Sequence, residues 1–232
     1  VAALKEKLRV ENNTQNKALL SGMLCMIQYI GWKGRNTRFF FGTNNFEYVW
    51  EKMIDFNFGE DNKNLYFPKT SWYLINEGKR SKSALEPDTI MKVDDSIFII
   101  DAKYYRYGDS KDHIELPHSS SINKQITYGE YVATSPKFKD KNGQSPLVYN
   151  LFLMPFNKEG KMFPSKENML YIGEARGEWK SSGSPYERVQ GILIDIKWMM
   201  SRTVEHNKKD IDELAKLVEK TVTLANKTNI LY

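Results

Sequence analysis

The chain has 232 residues, 41% hydrophobic and 27% charged, with 34 Lys and Arg against 29 Asp and Glu and a formal net charge of +5. That length suffices for one large domain with a substantial core, and no run approaches the roughly eighteen consecutive apolar residues of a membrane span. Cys25 is the single cysteine, which excludes an internal disulfide framework or thiolate metal site and favours a soluble protein of the cytoplasm; the small positive excess suits a polyanionic partner or an ordinary basic protein equally.

The amino end VAALKEKLRVENN lacks the layout of a signal peptide. Residue 1 is valine rather than methionine, so the sequence reads as a fragment or processed product with a segment upstream. From Thr14 to Ile30 polar and apolar residues alternate at helical spacing, and Gly31 and Gly34 supply a stop. Residues 1–40 are therefore expected to form a helical extension, and 41–232 the main domain. A second helix is predicted from Asn44 to Phe56, capped by Thr43 or Asn44, with Phe46, Val49, Trp50, Met53 and Ile54 as its apolar stripe. It also bears Glu47 and Glu51. SWYLI, 71–75, reads as a short strand followed by an exposed basic loop, NEGKRSKS.

The stretch LEPDTIMKVDDSIFIIDAKYYR reads as a β-hairpin turning at Asp94 and Asp95, and its second arm, IFII, is apolar on both faces, as an interior strand requires. SSSINKQITYGEYVA looks like a serine-capped helix. LVYNLFLMPF, NMLYIGEA and VQGILIDI look like strands, and DIDELAKLVEKTV like a closing amphipathic helix. The expected architecture is α/β, a mixed sheet with helices on both faces.

If Asp94 and Asp95 form a two-residue turn, Asp88 faces Asp101 across the hairpin. Opposed side chains have β-carbons roughly 4.5–5.5 Å apart, so the two carboxylates repel each other unless they share a cation. Alternation puts Lys103 on the same face as Asp101, with Ala102 facing the other way. Hard oxygen ligands select Mg²⁺ or Mn²⁺ over zinc, and a neighbouring ammonium orients a water or stabilises charge on a phosphate. The set suits phosphodiester hydrolysis.

Pro87, Asp88, then Asp101, Ala102 and Lys103 after IFII resemble the PD-(D/E)XK nuclease signature. The resemblance implies a restriction-endonuclease-like fold in which Asp88 and Asp101 bind metal, the Ala102 carbonyl adds a ligand and Lys103 assists the nucleophile. It also implies a glutamate from the first core helix, for which FEYVWEKMI offers Glu47 and Glu51. Glu51 is preferred, since VWEKMI is similar to the corresponding helix of McrC-like nucleases. KQITYGEY resembles a Q-x-x-Y helix, in which Gln125 and Tyr128 share a face and are expected to hydrogen-bond a DNA phosphate or the catalytic lysine, with Lys124 beside them as a further phosphate contact. FGTNNFEYVWEKM, PDTIM, IIDAKYY and LPHSSSINKQITYGEY in that order look like the LlaJI family of Type II restriction endonucleases. The expectation is Mg²⁺-dependent cleavage of double-stranded DNA by a homodimer, or by this chain paired with a second nuclease subunit. The rival expectations are a nuclease subunit of a McrBC-like, nucleotide-driven system and a nuclease fold that binds DNA without cutting it.

Each residue also has a plainer reading. An isolated Asp-x-Lys is more often a solvated charge pair, and only the opposed Asp88 reverses that weighting. Glu47, Glu51 and Gln125 suit an exposed helix surface, and Tyr128 suits core packing. His113, His118 and His206 read as solvated loop residues. The clusters Lys79, Arg80, Lys82 and Lys137, Lys139, Lys141 suit phosphate contact or plain solubility.

Overall fold

The computed structural model describes residues 2–30, 45–82, 84–181, 183–202 and 207–228. The chain divides into two compact units, Val1–Phe46 and Glu47–Tyr232. The first contains α1 (Ala2–Val10) and α2 (Thr14–Ile30). Glu11 draws the turn between them together, its carboxylate accepting from the main-chain N–H groups of Asn12 and Asn13 and from the Asn16 side chain. Asn13 accepts from the Asn16 N–H at 3.2 Å, in the manner of a helix cap. Gly31, Gly34, Thr43, Asn44, His206 and the side chain of Cys25 lie outside the described residues.

From there the chain runs α3 (Phe46–Phe58), β1 (Ser71–Leu74), β2 (Gly78–Ser81), β3 (Thr89–Val93), β4 (Ser96–Ala102), α4 (Tyr107–Ser110) and α5 (Ser119–Thr134). β5 (Leu147–Phe156), β6 (Met169–Arg176), β7 (Arg188–Asp195), α6 (Ile196–Ser201) and α7 (Lys208–Thr228) follow. β1 and β2 form a separate antiparallel ribbon. The other five strands make one mixed sheet in the order β3, β4, β5, β7, β6, antiparallel at both edge pairs and parallel in the middle.

β4 is apolar on both faces because it is interior on both: every one of its residues is buried. Ile97 and Ile99 pack with Val148 against Tyr128 and Val132 of α5. On the opposite face Phe98 stacks on Tyr149 at 5.0 Å, and there Glu219 of α7 comes within 3.3 Å of the Ser96 hydroxyl. α7 buries Leu214, Ala215, Val218 and Val222, one stripe of an amphipathic helix. The expected mixed α/β sheet with helices on both faces is the fold observed. No helix among the described residues is long and apolar enough to cross a membrane.

Three local expectations differ from the structure. The basic loop after SWYLI is in part the strand β2. Asn76 and Gly78, with φ of 68° and 74°, supply the left-handed backbone that folds it back on β1. The cap of α5 is not a serine: His118 is the residue with extended backbone (φ −71°, ψ 165°), makes no side-chain cap bond, and leaves the serines already helical. The buried stripe of α3 is Trp50, Met53, Ile54, Asn57 and Phe58, whereas Val49 is exposed, because the stripe follows successive turns toward the carboxyl end.

α5 lies tight on β5 at Gly129. A β-carbon there would meet Asn150 Nδ2 at 2.5 Å and the Tyr186 β-carbon at 2.9 Å, and Asn150 Nδ2 is already committed to the Tyr186 carbonyl at 2.6 Å. Gly129→Ala is expected to cost about 1–3 kcal/mol through overpacking, read as a lower midpoint of urea unfolding; an unchanged midpoint would show that the helix has room to shift.

Candidate active site

β3 and β4 pair from Thr89↔Ile100 to Val93↔Ser96. The turn is the two-residue Asp94–Asp95, with Asp94 at φ 49°. Continued by one step, this register sets Asp88 opposite Asp101. Asp88 Oδ2 accepts from the Ala102 N–H at 2.9 Å, which fixes its carboxyl across the strand end. Lys103 Nζ lies 2.9 Å from Asp101 Oδ2, with the Asp101 side chain 2% exposed and that of Lys103 17%. The sequence-predicted trio of Asp88, Asp101 and Lys103 is thus brought together at one edge of the α5 face.

The main chain at this point is held from two sides. The Lys103 N–H donates to the Leu153 carbonyl at 2.9 Å, continuing the β4–β5 pairing past Ala102. The same carbonyl accepts from the Trp50 indole N–H at 3.1 Å, so α3 is bonded to the strand beside the lysine. Tyr105 N–H then donates to the Lys103 carbonyl at 2.9 Å and the chain turns out of the sheet.

Burial raises the Asp88 carboxyl, and the adjacent Asp101 carboxyl, within hydrogen-bonding reach, raises it further. The Ala102 N–H acts against this, Glu51 adds to it, and the result is a pKa of about 7. Burial pulls Lys103 down, but Asp101 and then Asp88 outweigh it and the net shift is upward, so its ammonium remains charged at neutral pH. Tyr128 is raised to about 12 by burial and by Asp101, Asp88 and Glu86, which keeps its hydroxyl a neutral donor in the field of the acids. Apart from its ion pair with Lys103, Asp101 Oδ2 has no hydrogen-bond partner.

Of the two helical glutamates, Glu47 is exposed, while Glu51 is half-buried and near enough for its charge to act on Asp88. Among the described residues no three His, Cys, Asp or Glu side chains converge closely enough to hold one ion, so Glu51 stands outside the Asp88–Asp101 pair. Gln125 differs from expectation. It is fully buried, and its amide donates to the Ile99 carbonyl at 2.6 Å, bracing β4 from α5 instead of facing a phosphate. The reason is the helix face shared with Tyr128, which is the face turned to the sheet. Lys124 lies over the Tyr128 ring at 5.9 Å. His113 and His118 are exposed, and so are the Lys79, Arg80, Lys82 and Lys137, Lys139, Lys141 clusters; Lys137 Nζ donates to the Leu65 carbonyl.

Sequence reasoning missed a brace behind Asp88. Lys63 Nζ lies 2.6 Å from Asp55 Oδ2 and 2.6 Å from the Asp88 carbonyl oxygen, and Thr89 Oγ1 donates to Asp55 Oδ1 at 3.1 Å. Asp55 is one helical turn beyond Glu51, so this brace ties the glutamate-bearing helix to the backbone of the catalytic candidate. The i, i+4 spacing of Glu51 and Asp55 is the one sequence signal for it.

These residues fit a divalent cation. Burial and then the adjacent Asp101 carboxyl raise Asp88 to about 7 even with the Lys103 ammonium paired to Asp101, and Asp101 Oδ2 is a buried oxygen with acceptor capacity beyond that pair. A family model described as LlaJI restriction endonuclease matches residues 13–171, more than half of the chain, including α3, the hairpin, Lys103 and α5. A search of curated proteins finds no match.

The raised pKa of Asp88 sets a sign for stability. Its protonated form is favoured in the folded chain, so its contribution is complete below its ordinary value of 3.8 and is lost as the pH climbs through about 7. Asp88→Asn retains an acceptor for Ala102 N–H and removes the charge. In EDTA the variant is expected to melt above the wild type near pH 8, by roughly 2–4 °C per kcal/mol of relieved repulsion, and to match it near pH 4; an equal difference at both pH values would contradict the assignment.

Proposed function

The chain belongs to the LlaJI restriction endonuclease family, and from that premise we propose that it hydrolyses DNA phosphodiesters at Asp88, Asp101 and Lys103 with Mg²⁺ or Mn²⁺ as cofactor. The observation that supports this reading best is the acid pair itself: two carboxyls packed together beside an ammonium, with Asp88 raised to about 7. Asp88, Asp101 and the main-chain carbonyl of Ala102 would hold the ion, and Glu51 is the further carboxylate in electrostatic reach. When bound, the ion supplies a Lewis acid that makes a water more acidic and neutralises charge on the phosphate.

The chain's own groups do the rest. Lys103 stays protonated beside Asp101, so it is a donor rather than a base; it orients the attacking water or bonds a phosphate oxygen as negative charge builds there. Asp101 fixes the direction of that ammonium. The Ala102 N–H holds Asp88 in register with Asp101, and the brace of Lys63 and Asp55 keeps the Asp88 main chain from moving away as the phosphate enters. Tyr128, a buried neutral phenol packed under β4, lies within electrostatic reach of both acids. Cleavage of both strands needs two such centres, so a homodimer or a second nuclease subunit completes the active assembly.

Plasmid DNA incubated with the purified protein should be cut in Mg²⁺ and left intact in EDTA. Asp88→Ala and Lys103→Ala should each lower the cleavage rate by about 100-fold or more while the far-UV spectrum is kept. Retained magnesium-dependent cutting by either variant would overturn the proposal.

A further inference from the structure

The β1–β2 ribbon is unlike the rest of the fold. Among the described residues its two strands pair only with each other, and their main contacts are with each other. A lone two-stranded ribbon is at best marginally stable in water and ordinarily buries one face. Here neither face is buried. Trp72 is 60% exposed, Tyr73 76% and Ile75, at the tip, 89%, and β2 is exposed throughout. Neighbouring apolar side chains left in water together mark an interaction surface.

The register shows what the surface offers. Trp72 pairs with Arg80 and Tyr73 with Lys79, and paired residues share a face while successive residues alternate. Each face of the ribbon therefore presents one aromatic ring beside one cation, and Lys79 Nζ lies 5.9 Å from the Tyr73 ring centroid. From Lys69 to Lys82 the segment holds four cations, Lys69, Lys79, Arg80 and Lys82, against the single carboxylate of Glu77. That carboxylate makes only an exposed 3.8 Å contact with Arg80.

Two main-chain bonds anchor the ribbon's base, from Lys82 N–H to the Thr70 carbonyl at 3.0 Å and from Leu85 N–H to the Pro68 carbonyl at 2.9 Å. The base of the ribbon thus closes at Leu85, three residues before Asp88 along the chain.

We infer that the β1–β2 ribbon is an arm that grips duplex DNA beside the active site, each of its faces setting one cation, Arg80 or Lys79, on a phosphate with its neighbouring ring, Trp72 or Tyr73, against the groove wall. A twisted two-stranded ribbon is narrow enough to enter the major groove, and the excess of cations selects a polyanion over a second copy of this basic chain. The inference rests on the DNA-cleaving reading and adds a substrate-binding element to it.

The test is fluorescence anisotropy with a labelled duplex in EDTA, where no cutting occurs, at a series of salt concentrations. Lys79→Glu with Arg80→Glu should weaken binding tenfold or more and flatten the dependence of log K on log salt by about 1–2. Trp72→Ala with Tyr73→Ala should weaken binding several-fold at unchanged salt slope. Both variants should keep the wild-type melting temperature and Mn²⁺ affinity. Wild-type affinity and slope in both variants overturn the inference while leaving the nuclease reading intact. So does a result in which sedimentation shows the variants changed only from dimer to monomer, with DNA affinity per chain unaltered. A wild-type protein that binds no duplex at all overturns both readings.

Discussion

Two carboxyl groups at neighbouring strand ends repel each other unless a proton or a cation stands between them, and the register of one hairpin brings Asp88 and Asp101 into that relation. Much of the surrounding structure resists their separation. The Ala102 N–H binds one carboxyl across the strand, Lys103 pairs with the other, and Lys63 grips the main chain behind Asp88. In turn Lys63 is held by Asp55 on α3, and Trp50 of the same helix bonds the carbonyl that receives the Lys103 N–H. One helix is therefore fastened to the main chain at Asp88 through Lys63 and to the Leu153 carbonyl of β5, the same carbonyl that holds the Lys103 N–H at the end of the second arm.

Such a centre stores electrostatic strain in the free protein. Asp88 relieves it by keeping a proton up to about pH 7, and under the proposed function a cation would relieve it by displacing that proton. The chain belongs to a restriction endonuclease family, and under the proposed function this repulsion is what the entering ion would relieve.

The hairpin was legible in the sequence because a two-residue turn at Asp94–Asp95 sets every pairing on either side of it, and the burial of β4 was legible because IFII has no polar face. The long apolar strands β5 and β7 were readable for the same reason. Strand order was not: β7 pairs between β5 and β6, a choice made by non-local packing that leaves no periodic mark. β2 was missed because an exposed strand has no burial alternation, and its turn depends on left-handed Asn76 and Gly78. Gln125 pointed to a phosphate by its motif, yet its helix face turns inward and its amide is spent on Ile99. The Lys63–Asp55 brace joins residues that only the folded chain brings together; the i, i+4 spacing of Glu51 and Asp55 puts the acid on the glutamate's face but does not name its lysine partner.

Calorimetric titration of the metal-free protein with Mn²⁺ at roughly pH 6, in two buffers of different ionisation enthalpy, tests the central claim most directly. Asp88, with its pKa at about 7, is then mostly protonated, so binding should release close to one proton and the observed heat should differ between buffers by that proton's transfer. No binding, or binding with the same heat in both buffers, would contradict a cation site built on the Asp88–Asp101 pair.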